Sequence, residues 1–152
     1  LDAFKILKKK IDNVKLIIAG PEKESVPEKN IDGVEILGNI NRKKLSDIFS
    51  KASLFCMPSE FEAYGLVFPE ALSFGVPCIG RDAYEMKYFI REGENGYLLK
   101  EDKAEALSEI MYKILNDADM KSEVEKNVEY IRREYSWSRV ADDICKVIYK
   151  VK

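Results

Sequence analysis

Short apolar runs alternate along this chain with segments whose apolar residues recur every three or four positions, which predicts repeated β–α units around a parallel sheet. Residues 1–10 read as an amphipathic helix with Phe4, Leu7 and Ile11 on one face. Residues 14–19 read as a buried strand ending at Gly20 and Pro21, and residues 34–37 as the next strand, closed by Gly38 and Asn39. A helix is predicted over 42–50, burying Leu45, Ile48 and Phe49, with Asn41 as its N-cap. Residues 53–57 make a third strand, stopped by Pro58. A turn follows, then a helix running to about Phe74, a strand over 76–79, a helix over 83–91, and a short strand over 97–99 after the Asn95-Gly96 turn. The remainder is helical. Ala104, Leu107, Ile110, Met111, Ile114 and Leu115 share one face, and Trp137, Val140, Ile144, Val147, Ile148 and Val151 form an apolar stripe in the last helix.

Composition narrows the class. With 152 residues, 46% of them apolar, the chain has room for one domain and one core. No apolar run approaches the roughly 18 residues that a membrane helix needs. Net charge is -2 with signs well mixed, and Lys8, Lys9 and Lys10 suit a solvated helix end, so nucleic acid is not an expected partner. The three cysteines are widely spaced, and Cys56 and Cys78 fall in strand-like runs, as small core residues of a protein from a reducing compartment. There is no histidine, which excludes a Ser-His-Asp triad, a Cys-His pair and a His-ligated zinc site within this chain. The opening residues, Leu1-Asp2-Ala3-Phe4-Lys5, read as the middle of a helix. The chain is therefore expected to be a piece of a longer protein, with a leading strand missing from the sheet.

One segment carries chemistry. Glu62 and Glu70 stand eight positions apart, one in a turn and one in the first turns of a helix. Pro69 fixes where that helix begins, because a missing N–H is tolerated only in the first turn, so the start falls near Val67 or Phe68. The N–H groups around Gly65, Leu66 and Val67 are then free to face a phosphate or diphosphate. The turn follows a strand of a parallel sheet, the end at which ligands of such sheets bind. Glu70 would accept hydrogen bonds from vicinal hydroxyls such as those of a ribose, and Glu62 would face the other end of the ligand. On spacing alone, two solvated glutamates flanking a structural turn are the commoner explanation of the pattern.

The run P-S-x-x-E-x-x-G-L-x-x-x-E-A, followed by Gly75-Val76-Pro77, resembles the donor motif of the retaining, nucleotide-sugar-dependent glycosyltransferases with the GT-B fold, the glycogen-synthase-like and mannosyltransferase-like group. Residues 16–20, 37–40 and 93–99 and the Tyr135-Ser136-Trp137 triplet resemble further segments of that family in the same order. The resemblance implies an α/β, Rossmann-like parallel sheet with helices on both faces, the C-terminal half of a GT-B fold lacking its first strand. Residues 1–152 would be a single nucleotide-sugar-binding domain of a two-domain enzyme.

It also implies roles. Glu62 would contact the transferred sugar beside its anomeric carbon as the catalytic carboxylate. Glu70 would hold the ribose, and the backbone of Gly65, Leu66 and Val67 would hold the distal phosphate. Tyr64 would belong to the donor site, and Ile40 and Asn39, with Gly38, would lie near the base. No cofactor and no metal are implied beyond the nucleoside-diphosphate sugar itself. The implied partners are that donor and an N-terminal acceptor domain, through which a cytoplasmic enzyme could associate with the inner face of the membrane. Two departures stand out. The Arg and Lys that clamp the diphosphate would precede Leu1, and the family's Gly-Gly-x-x-Glu loop is replaced here by Gly80-Arg81-Asp82-Ala83-Tyr84-Glu85, where Arg81 is either a substitute diphosphate ligand or an exposed loop residue. The alternatives are a nucleotide-sugar epimerase or hydrolase of the same fold, and a non-catalytic nucleotide-binding module.

Overall fold

The protein is described from a computed structural model that covers residues 1–20, 23–28 and 30–150. Pro21, expected at the end of the first strand, and Val151, expected in the last helical stripe, lie outside the described residues. Helix α1 (Asp2–Lys8) buries Ala3, Phe4 and Leu7. Strands β1 (Leu16–Ala19) and β2 (Val34–Gly38) pair in parallel, with Leu16 opposite Val34 and Ala19 opposite Gly38. Helix α2 (Arg42–Phe49) begins as the sequence predicts, the Asn41 side chain accepting the Lys44 N–H at 2.9 Å. Strand β3 (Phe55–Cys56), helix α3 (Val67–Leu72), strand β4 (Cys78–Arg81), the single turn α4 (Met86–Phe89) and strand β5 (Gly96–Leu99) follow. Helices α5 (Ala104–Leu115), α6 (Ala118–Lys126), α7 (Val128–Glu134) and α8 (Trp137–Lys150) complete the chain, and α1 packs on α5.

The fold is α/β with parallel strands and flanking helices, but among the described residues the strands form two sheets, β1–β2 and β3–β4–β5. Strand β1 is not buried as predicted. Its positions alternate between half-buried and exposed, and Ile17 is exposed. In the second sheet, Gly96 lies so close under β4 that a Cβ there would meet the Cys78 carbonyl oxygen at 1.9 Å, so no larger residue fits between these strands.

Two elements differ from expectation for local reasons. The strand expected over 76–79 begins only at Cys78, because the end of α3 uses the residues before it. The Gly75 N–H donates to the Leu72 carbonyl, and the Val76 N–H to that of Ala71 at 3.2 Å, a Schellman closure with Gly75 at φ +76°. The helix expected over 83–91 shrinks to one turn. Asn95 takes the Arg91 N–H on its side-chain oxygen at 2.7 Å and donates to the Phe89 carbonyl at 3.0 Å, removing the groups a longer helix would need. The stripe of α8 is not buried: Trp137, Ile144, Val147 and Ile148 are all exposed.

The core lies around α3 and β4, where Phe68, Leu72, Val76, Ile79 and Met86 are fully enclosed. Rings continue it outward: Phe49 meets Phe55 edge-on at 5.5 Å, Phe55 meets Phe68 at 5.6 Å, and Phe68 stacks on Phe89 at 6.3 Å. Cys78 is buried as expected. Cys56 is half-buried as a residue, yet burial of its thiol pushes the pKa up to about 12; burial raises Cys78 as well. Among the described residues no helix is long and apolar enough to cross a membrane.

Candidate functional site

The turn after β3 rests on aromatic supports. Phe68, in the first turn of α3, stacks on Phe89, and Phe89 in turn carries Tyr64 edge-on at 5.4 Å, so the tip of the turn is propped on the core. Between Tyr64 and α3 the chain passes through Gly65 at φ +84°, a conformation that residues with a Cβ rarely adopt. Space forbids one as well: a Cβ on Gly65 would lie 2.9 Å from Phe68 Cδ2 and 3.3 Å from Glu62 Cγ. The Glu62 side chain therefore packs beside Gly65.

This turn presents donors and acceptors together. The Phe68 N–H bonds to the Gly65 carbonyl at 3.0 Å and the Glu70 N–H to that of Leu66 at 3.1 Å, while the N–H groups of Gly65, Leu66 and Val67 have no acceptor among the described residues. Helix α3 has only six residues, so these three amides, rather than a long-helix dipole, set the local field. Glu62 is half-buried and Glu70 exposed, and among the described residues neither carboxylate makes a hydrogen bond or an ion pair.

The sequence-predicted residues fall into two groups. Glu62, Tyr64, Gly65, Leu66, Val67 and Glu70 are brought together in this one turn and helix start, and the helix begins at Val67 as Pro69 dictates. Gly38, Asn39 and Ile40 stand at the carboxyl end of β2, in the other sheet, and share no hydrogen bond with the turn among the described residues. Both groups lie at carboxyl ends of parallel strands.

Arg81 is not the exposed loop residue of the blander reading. Its side chain is only 22% exposed, and two of the three guanidinium nitrogens, Nε and Nη2, are bonded to protein. Nε donates to the carbonyls of Ser59 (3.1 Å) and Pro58 (3.3 Å), and Nη2 donates to Pro58 and to Asp102, both at 3.2 Å. Beside it, Tyr84 takes a left-handed backbone (φ +51°) and meets Phe61 edge-on at 5.2 Å. Sequence reasoning missed this aromatic pair, since tyrosine gives no local sign of a left-handed position.

A separate open hollow of about 820 Å³, lined by Tyr97, Glu109, Tyr112, Lys113 and Asp117 among others, shares no residue with the turn. Lys113 already lies over the Tyr97 ring there, 4.2 Å from its centre. Among the described residues no three Cys, Asp or Glu side chains are grouped to hold a metal ion.

With this geometry in view, comparison with known proteins defines the class. The family model for glycosyl transferases group 1 matches residues 1–131, and the chain belongs to that family. It is 29% identical over 153 residues to a phosphatidyl-myo-inositol mannosyltransferase of Mycobacterium leprae, covering 97% of this chain and 41% of that protein. A poly(glycerol-phosphate) alpha-glucosyltransferase of Bacillus subtilis is 28% identical over 141 residues, 88% of this chain and 21% of that one. The chain thus spans less than half the length of these relatives.

Solved structures agree in fold. Sucrose-phosphate synthase from Thermosynechococcus elongatus superposes with a TM-score of 0.79 at 22% identity, over 99% of this chain and 41% of that one. Anabaena HepE in complex with UDP-glucose gives 0.80 at 18% identity, over 98% and 44%. The fold is that of the GT-B glycosyltransferases.

Proposed function

We propose that this chain is the donor-binding part of a retaining glycosyltransferase that moves a sugar from a nucleoside-diphosphate sugar to a hydroxyl acceptor. The observation that carries the reading is the packing of Glu62 beside Gly65 at the start of α3. Among the described residues this one turn and helix start carry a carboxylate without a partner, Glu62, three amides without an acceptor, and a second carboxylate without a partner, Glu70.

In this reading the amides of Gly65, Leu66 and Val67 receive the distal phosphate, and Glu70 accepts hydrogen bonds from the ribose hydroxyls. Glu62 and Tyr64 face the transferred sugar, and Asn39 and Ile40 border the base. As the anomeric C–O bond breaks, charge grows on the leaving diphosphate and is met by donors already pointing at it. Glu62, near the anomeric carbon, supports the positive charge of an oxocarbenium-like transition state, and attack from the face of departure retains configuration. No metal has a place in this scheme. The relatives' names and the UDP-glucose complex of a structural neighbour support a sugar nucleotide as donor. The acceptor-binding part would belong to the rest of a longer protein acting in the cytoplasm, and association with the inner face of the membrane would also come from there.

The test is Glu62→Ala in the intact protein. Nucleoside diphosphate affinity should stay within about threefold while transfer falls by about a hundredfold or more, the signature of a contact made chiefly in the transition state. Near-normal turnover would remove Glu62 from the sugar.

A further inference from the structure

The loop that carries the donor turn, residues 58–66 after β3, is joined at two points to residues 81–85 at and after the end of β4. One joint is the edge-on pair of Phe61 and Tyr84, held in place by the left-handed backbone of Tyr84. The other is Arg81. Its three hydrogen bonds reach two consecutive carbonyls, those of Pro58 and Ser59, just ahead of Glu62 in the chain.

We propose that Arg81 is a positioning residue for the sugar end of the donor site, fixing through the Pro58 and Ser59 carbonyls the turn that carries Glu62. This rests on the donor-binding reading above. The chemistry favours arginine specifically. A planar guanidinium offers several N–H groups in a fixed fork, so it can hold two neighbouring carbonyls and a carboxylate together, whereas a lysine ammonium is a single point donor. The carbonyls matter because loop polar groups turned inward need a donor, and here the donor comes from the next strand of the sheet. Asp102 is the lesser partner: its carboxylate is 68% exposed, and an exposed ion pair adds little. Arg81 thus ties the end of β4 to the loop leaving β3 and fixes where Glu62 meets Gly65.

The test uses the intact protein and two measurements. The first needs no ligand. Glutamate-specific proteolysis after Glu60 and Glu62 should be about tenfold faster in Arg81→Ala, intermediate in Arg81→Lys and little changed in Asp102→Asn, since cleavage follows the open population of the loop. Equal cleavage in wild type and Arg81→Ala, with the melting temperature retained, overturns the clamp. The second follows nucleoside diphosphate release from UDP-glucose and GDP-mannose without acceptor. Arg81→Ala should lower kcat by about tenfold and leave KM within about threefold, with no further loss when added to Glu62→Ala, because residues that act as one unit are not additive. An undiminished loss in the Glu62→Ala background overturns action through Glu62. If Glu62→Ala itself turns over normally while Arg81→Ala cleaves faster, the donor reading fails and the clamp stands.

Discussion

Glu62 Cγ lies 3.3 Å from the point where any residue other than glycine at position 65 would place its Cβ. The contact ties a backbone requirement to a chemical one. The same left-handed turn that only glycine accepts freely leaves room for the Glu62 side chain to pack beside the start of α3.

Gly65→Ala should therefore damage stability and site together. A left-handed alanine costs about 1–2 kcal/mol, and displacing the buried Phe68 ring adds a comparable overpacking cost of about 1–3 kcal/mol. Thermal denaturation should show a melting temperature lower by roughly 10 °C. Affinity for nucleoside diphosphates should fall by about tenfold or more, and an unchanged affinity in a folded variant would separate the turn from the ligand.

Gly96→Ala tests the sheet alone. With a Cβ 1.9 Å from the Cys78 carbonyl oxygen, β4 and β5 cannot keep their register. Denaturant unfolding should show a loss of more than about 3 kcal/mol. In contrast, Trp137→Gln on α8, at a residue 87% exposed, should change the stability of this chain by less than about 0.5 kcal/mol.

The thiols give a pH test with a definite sign. The Cys56 pKa stands at about 12 against an ordinary 9.0, and that of Cys78 is raised by the same cause, burial. Both thiols are harder to ionise folded than unfolded, so the stability they protect is intact below pH 9 and is lost as pH climbs toward 12. At pH 10.5 the Cys56 contribution to that loss should be about 2 kcal/mol. Urea unfolding at pH 8 and 10.5 should show a smaller drop for Cys56→Ala than for wild type. At pH 8 a thiol reagent should label the exposed Cys145 first, with Cys56 and Cys78 reacting only after unfolding.

What the sequence made legible was local. Asn41 caps α2 three residues from the N–H it accepts, and Pro69 fixes the start of α3, because both signals act within one turn of helix. Glu62, Gly65 and Glu70 were readable as neighbours because a single turn and helix start hold them. The misses have longer reach or compete for the same residues. Val76 reads as strand, but its N–H is spent closing α3. Residues 83–91 read as helix, but Asn95 intercepts them from beyond. The separation of β1–β2 from β3–β4–β5, and the clasp of Arg81 on carbonyls more than twenty positions earlier, depend on packing that no window of sequence contains.

The central claim is that Glu70 belongs to the nucleotide and Glu62 to the sugar, on either side of one phosphate site. Calorimetric titration of a nucleoside diphosphate into the intact protein and its Glu70→Ala and Glu62→Ala variants tests it most directly. Glu70→Ala should weaken binding by about tenfold or more, as loss of hydrogen bonds to a charged acceptor does, and Glu62→Ala should leave it within about threefold. Binding that is unchanged in Glu70→Ala would contradict the account.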